Sequence, residues 1–491
     1  MRLIMKPVIE LQRWCVHWCV WSACVLSSLF GGSCVAHSTA ADVAAVRDIV
    51  HARSRLEVPK AAALIDNGRE PTDPDVQKLV QQPLTLDSAV RIALLNNRDL
   101  RADLLGLGVE RGQLVQANLL PMLDVEVAMR LPTRSGGGAT WEMGATVDLT
   151  QLILQPARSD LAQSELDAAR IRVAVSALDL GYRVRLAYFD VQASEQQLEL
   201  LRTAMAAFGA SFETARELLR AGNTTDLDVA TEQTAYENAR VAVAEAEADL
   251  IDARERLNVL LGLFGREVAW NIRARLPEPD AGAVDVERLE SRAIKASLDL
   301  AETRANLLAL QRRSGLNSVA GVLPQLGIGV SAERHDGAWE VGPQLHGGLP
   351  FGDRQQGTRI SVDAQVDALR ERYQAQAIDI RAATRAARDR LLSARERVRQ
   401  YRETLLPLRD RVVQQSLLQY NAMQIGVFQL LQARRDQVEA GRSYVSTLHE
   451  FWRLRTVLDQ LLAGRMAGTI TTITQSTPRR MVSAPAVERG H

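Results

Sequence analysis

The chain has 491 residues with 59 basic and 59 acidic side chains, so no net charge draws it to nucleic acid. Hydrophobic residues make up 46% and aromatics only 4%, with Ala, Leu, Arg, Glu and Gln dominating long stretches. That composition belongs to long helices packed along seams and argues against a compact globule.

All four cysteines, Cys15, Cys19, Cys24 and Cys34, fall in the leading segment. This segment reads as a secretory signal: Arg2, Lys6 and Arg13 are followed by the apolar run Trp14 to Phe30, then by small residues. Residues 1–40 are assigned to it, with cleavage after Ala40 leaving a mature chain without cysteine and without disulfides. Lipid attachment at Cys34 is an alternative, although Gly31-Gly32-Ser33 lacks a branched apolar residue three positions upstream. A retained anchor is a third, set against a slightly short apolar run that contains His17. Beyond this segment no stretch is long and apolar enough to span a membrane as a helix, so deeper membrane contact requires β-strands. Residues 41–83 combine a short helical stretch with the polar run Asn67 to Pro74 and read as an extended or peripheral periplasmic arm.

The remainder is a duplication. Trp141-Glu142-Met143-Gly144 returns as Trp339-Glu340-Val341-Gly342, Leu120-Pro121 as Leu323-Pro324, and Asp99-Leu100 as Asp299-Leu300. Gly222-Asn223-Thr224-Thr225 lines up with Met423-Gln424-Ile425-Gly426, so the offset stays at about 200 residues throughout. The repeats are assigned to residues 84–283 and 284–464, with residues 465–491 as a disordered tail. Each repeat begins with a helix, Leu86 to about Leu119 and about Val286 to Ser314. Two strands follow, near 121–130 and 140–150 in one half and 324–333 and 339–349 in the other. A hairpin of very long helices closes each repeat, at about 156–263 and 355–463.

The strands alternate with period two. Leu123, Val125, Val127 and Met129 oppose Asp124, Glu126, Ala128 and Arg130, and the other three strands repeat the pattern. A half-buried soluble sheet and a transmembrane sheet share this signature. The export signal, the spanning length and a Trp at one end of each hairpin (Trp141 and Trp339, placed as membrane-interface aromatics) favour the second. Four strands cannot close a barrel and an open edge is not tolerated in lipid, so spanning strands require several copies. The long helices carry two apolar stripes. Ile171, Val175, Leu178, Tyr182, Leu186 and Phe189 form one, and Val173, Ala177, Leu180, Val184, Ala187 and Val191 the other. Two stripes suit a coiled-coil-like helix with a neighbour on each side, as in the wall of a tube.

No catalytic constellation is present. The mature chain has no cysteine nucleophile or phosphate loop, and His51, His335, His346, His449 and His491 have no metal-ligand spacing. The reading is therefore of a protein that is not an enzyme and needs no metal or cofactor.

The ordered set of features resembles the TolC family of outer-membrane efflux factors over about Leu84 to Gly464. Carrying the resemblance are Asn96-Asn97, the two Leu-Pro pairs, Leu349-Pro350-Phe351-Gly352-Asp353-Arg354, and the turns Gly222 to Val229 and Tyr420 to Leu431. It implies a mainly α fold with a small β-barrel part: a homotrimer that closes a transmembrane β-barrel in outer-membrane lipid and an α-helical barrel across the periplasm. The implied function is the passive exit channel of a tripartite efflux or type I secretion system, partnered by a periplasmic adaptor protein and an inner-membrane pump. The alternative is a periplasmic coiled-coil scaffold or adaptor without a channel. By the same resemblance Gly222, Thr225, Leu227, Met423, Gly426 and Phe428 are adaptor-docking tip positions. The periplasmic constriction falls at Asp228, Gln429 and Gln432, where neutral Gln429 and Gln432 replace acidic side chains that the family often carries. The cargo is left open.

Overall fold

The computed structural model describes residues 39–54, 56, 58, 74–131, 139–272, 275–279, 287–321, 325–335, 338–348 and 356–466. The signal segment with Cys34, residues 132–138 between the first two strands, Leu323-Pro324, Leu349 to Arg354 and the tail lie outside the described residues. From Ala40 onward the described residues form one compact unit.

The unit opens with helices α1 (Ala40–Ser54) and α2 (Pro74–Val80). The first repeat then runs α3 (Leu86–Asn96), α4 (Arg98–Asn118), β1 (Leu123–Arg130), β2 (Thr140–Asp148), α5 (Leu149–Arg220) and α6 (Asp226–Leu261). The second runs α7 (Leu289–Ala296), α8 (Leu298–Ala320), β3 (Gln325–His335), β4 (Ala338–Gly348), α9 (Gln356–Gln400), α10 (Leu406–Asn421) and α11 (Val427–Leu462). At 1.5 Å per residue, the 72 residues of α5 extend about 108 Å.

Both expected entry helices are broken in two. Asn97 leaves helical geometry at ψ 124°, and its side-chain oxygen accepts the backbone N–H of Leu100, which caps α4. Ser297 caps α8 in the same way through Leu300. Each break replaces a continuing helical bond with a side-chain cap, which turns the chain without orphaning a donor. A second correction concerns α5, which starts directly after β2 rather than near residue 156. Asp148 accepts the N–H of Gln151 and starts the helix, and Pro156 sits inside it. The last repeat's descending helix is interrupted as well. Tyr401–Leu405 forms a π turn just before Pro407. Proline has no N–H to donate and its ring crowds the preceding turn, so the wider turn accommodates it.

The two stripes of α5 are both covered. Val173, Ala177, Leu180, Val184 and Val191 are buried, and so are Val175, Leu178, Tyr182 and Phe189. Helix α5 packs against α6 along one side and α11 along another, with α4 and α8 also in contact. The first 15 described helical residues are not the peripheral arm expected from sequence. Val43, Val46 and Val50 of α1 recur at 3–4 spacing and join the main core, together with Leu56 and Val58. Buried Asp42 fixes the helix start: Arg111 of α4 donates two hydrogen bonds to it at 2.9 and 2.7 Å, and Arg170 of α5 two more at 3.0 and 2.5 Å. At the other end, Arg53 Nε donates to the Ala296 carbonyl at 3.2 Å, in the break between α7 and α8. The arm therefore joins both repeats.

Candidate functional site

The four strands form one antiparallel sheet in the order β1-β2-β3-β4. Because each pairing is antiparallel and in register, side chains of one parity line up across all four strands. One row is Leu123, Val147, Ile328 and Leu345; the next is Val125, Ala145, Val330 and Pro343; a third is Val127, Met143, Ala332 and Val341. This face is apolar, yet most of its large members are exposed, with Val341 at 69% and Leu345 at 72%. Trp141 and Trp339 both lie in the row Met129, Trp141, Arg334, Trp339 at one end of the sheet. The Arg334 guanidinium stands 5.9 Å from the Trp339 ring centroid. The opposite face is polar. Its rows include Asp124, Thr146, Gly329 and Gln344, and also Ala128, Glu142, Glu333 and Glu340, where Arg130 bridges Glu142 at 2.7 Å. Strands β1 and β4 each leave one edge unpaired among the described residues.

At the far end of α5 lies the turn to α6, and α10 turns into α11 by the same route. Gly222 takes φ +72° and Met423 takes φ +57°, so the duplicated position needs left-handed backbone in both halves. Glycine adopts it at little cost and methionine does not. Leu227 and Met423 are exposed, Met423 at 94%. Thr225 and Gly426 are the N-caps of α6 and α11. Thr225 accepts the Asp228 N–H, and Asp228 in return accepts the Thr225 N–H at 3.1 Å. Gln429 does the same for the Gly426 N–H at 3.0 Å. Asp228 thus completes a reciprocal capping box with Thr225, whereas Gln429 caps in one direction only, because Gly426 has no side chain to return the bond. A hydrogen bond from the Thr224 hydroxyl, then that from the Thr225 N–H, holds the Asp228 carboxyl below the usual carboxylate range. Gln432 donates to Asp436 at 2.7 Å, and Arg409 bridges Asp436 at 2.8 Å. Of Phe428 only the backbone position, in the first turn of α11, is described. Thr225→Ala is expected to cost about 1 kcal/mol, read as faster amide exchange in the first turn of α6.

Sequence reasoning missed the joints between the two ends. The side-chain amide of Asn96 donates to the Leu261 and Gly262 carbonyls at 3.1 and 2.7 Å, and Asn97 to Leu260 at 3.1 Å, closing the C-terminus of α6. In the second repeat, Leu298 N–H donates to the Gly464 carbonyl at 2.7 Å, and Asp299 binds Arg465 and the Met466 N–H. The signal was present in Asp99-Leu100 and Asp299-Leu300, which mark both breaks, but their partners are more than 150 residues away.

Residues 89–263 match the model of a family described as outer membrane efflux protein. The cobalt-zinc-cadmium resistance protein CzcC of Cupriavidus metallidurans is 23% identical over 387 residues, covering 77% of this chain and 90% of that protein. Among solved structures, the outer-membrane channel OprN is similar at a TM-score of 0.66 and 17% identity, over 79% of this chain and 92% of that one. The Campylobacter jejuni CmeC outer membrane channel is similar at 0.66 and 15% identity, over 79% and 88%. Likenesses at these identities establish the fold: long helices bearing a small sheet.

Proposed function

We propose that the chain is a member of the outer membrane efflux protein family, whose model matches residues 89–263, and that it is the exit duct of a tripartite efflux system, built from three copies. It is an outer-membrane channel with a periplasmic extension. The observation that carries the reading is the sheet. An exposed apolar face across four strands, with two unpaired edges, is unstable in water and in lipid alike unless further strands close it. Joining β4 of one copy to β1 of the next gives about twelve strands in three copies, a barrel with its apolar face to lipid and its polar face inward.

The tips carry the partner assignment. Leu227 and Met423 put apolar side chains in solvent beside two capped helix starts, a surface suited to a periplasmic adaptor. An inner-membrane pump would then supply energy and select cargo. The similarity to CzcC, a cobalt-zinc-cadmium resistance protein, makes divalent metal cations the first cargo to test.

Outer-membrane extraction of the full chain is expected to give a trimer that conducts ions in planar bilayers. A water-soluble, non-conducting monomer would overturn the reading in favour of a scaffold. On the same reasoning Val341→Arg, on the apolar face, should cost about 2–4 kcal/mol in the bilayer and empty the outer-membrane fraction. Gln344→Arg, on the polar face, should leave that fraction unchanged. Immunoblots of sucrose-gradient fractions separate the two.

A further inference from the structure

The helices leave two free edges. The packing order is α6, α5, α11, α9, so α6 lies at one side of the set and α9 with α10 at the other. The two edges differ in charge. Helix α6 carries nine carboxylates against three arginines, whereas α9 carries ten arginines against six carboxylates.

Both edges bear a stripe at the spacing of an interhelical seam. On α6 the positions Val241, Glu245, Ala248, Asp252, Glu255 and Val259 follow one another by four and three residues. All six are exposed, and they lie opposite the buried positions Ala239, Val243, Ala246, Ala253 and Leu257. On α9 and the π turn the stripe is Arg381, Arg385, Arg388, Leu392, Arg395, Arg399 and Arg402, again four and three apart. It lies away from Arg397, which bridges to Glu450 of α11. An open groove of about 570 Å³ is lined there by Leu392, Arg395, Arg399 and Arg402, with Glu396 and Glu403.

The stripes also match in height. Arg435 near the start of α11 stacks over Phe208 near the end of α5, so the two helical turns lie at one level. Glu245 and Asp252 stand 19 and 26 residues from the start of α6, and Arg402 and Arg395 stand 19 and 26 from the end of α10. Several of these arginines already hold a carboxylate of their own chain, as Arg399 holds Glu396 and Arg402 holds Glu278. Exposed pairs of this kind contribute little, and a guanidinium has five donors, so each can take a second carboxylate. Among the described residues, Glu245 and Asp252 make no salt bridge within the chain.

We infer that the acidic stripe of α6 seats in the arginine-lined groove of α9 in a second copy of this chain, and that this pairing dictates the order of assembly. The inference rests on the oligomeric duct proposed above and supplies its interface. Like edges repel, so a twofold pair through α6–α6 or α9–α9 is disfavoured, and copies join head to tail into a ring.

The test is charge reversal in the full chain, extracted in mild detergent and weighed by native mass spectrometry. Glu245→Arg with Asp252→Arg, and separately Arg395→Glu with Arg402→Glu, should each lower the oligomer fraction roughly tenfold or more, because two like-charge contacts per interface replace two attractive ones. All four changes in one chain should restore the oligomer. A four-fold variant no more assembled than its parents, or parents that assemble like the unaltered chain in 50 mM salt, overturns the inference. Helical circular dichroism identifies a misfolded parent, and the four-fold variant still decides the case. An unaltered chain that stays monomeric defeats the duct reading itself.

Discussion

Gly464→Ala is expected to produce the largest loss of stability of any methyl addition at the left-handed glycines among the described residues. Gly464 adopts φ +96°, where an L side chain costs about 1–2 kcal/mol. The added Cβ would also overlap the carbonyl oxygen of Ala296, with the Leu298 nitrogen 3.1 Å away. Those atoms are backbone, and Leu298 N–H is already committed to the Gly464 carbonyl, so no flexible side chain can yield. Together the two effects should exceed about 3 kcal/mol, read as a drop in the thermal midpoint of the detergent-solubilised protein. Gly262→Ala, with φ +68° and a Cβ 2.8 Å from the Asn96 oxygen, should follow the same course with a smaller drop. Gly222→Ala is the control. It shares the left-handed backbone at φ +72° but has nothing within 4 Å, so only the conformational cost remains. Equal midpoints for Gly464→Ala and Gly222→Ala would remove the packing argument.

The second large effect is expected at Asp42. Its carboxylate is fully buried, while Arg111 and Arg170 keep 25% and 20% of their side chains exposed. Asp42→Ala leaves the Arg111 and Arg170 guanidiniums facing each other with only the half-exposed Asp167, on Arg170, as a counter-charge. Breaking a buried pair from one side costs about 3–5 kcal/mol, and the residual exposure of both arginines places this case at the lower end. Asp42→Asn should cost less, since one amide oxygen can still accept. The readouts are the urea midpoint and the rate at which protease removes α1. Burial pushes the Asp42 carboxyl up, but hydrogen bonds from Arg111 and Arg170, with their charges, outweigh it and hold it below the usual range. A carboxyl whose folded pKa is depressed stabilises the fold above its unfolded value, about 3.9, and that contribution disappears as pH falls through the folded value. The arm should therefore stay protected through neutral and mildly acid conditions and come loose only below about pH 4. Release near pH 6 would contradict the assignment.

How far the sequence could be read depended on how local each interaction was. Period-two alternation from Leu123 to Met129 depends on neighbours two residues away, so the strands and their apolar face were legible. The stripes of α5 were legible for the same reason, at a period of three to four. The helix breaks at Asn97 and Ser297 were not. Asn97 lies in a run whose apolar residues continue the helical pattern, and the decisive partner, the end of α6, is some 160 residues away. Val43, Val46 and Val50 form a short apolar stripe with no marker of its destination, and only the packed core shows that α1 is central.

By itself, then, the sequence determined the two tandem repeats, the alternating strands, the double-striped helices and the positions of Trp141 and Trp339. Each of these depends on periodic placement of apolar groups relative to backbone geometry. Tertiary structure alone decided the order β1-β2-β3-β4, the buried Asp42, the joints at Gly262 and Gly464, and the contrast between an acidic and a basic free edge. Those features depend on which distant side chains meet. That is settled by the closing of backbone hydrogen bonds and the exclusion of water across the whole chain, and no window of neighbouring residues contains it.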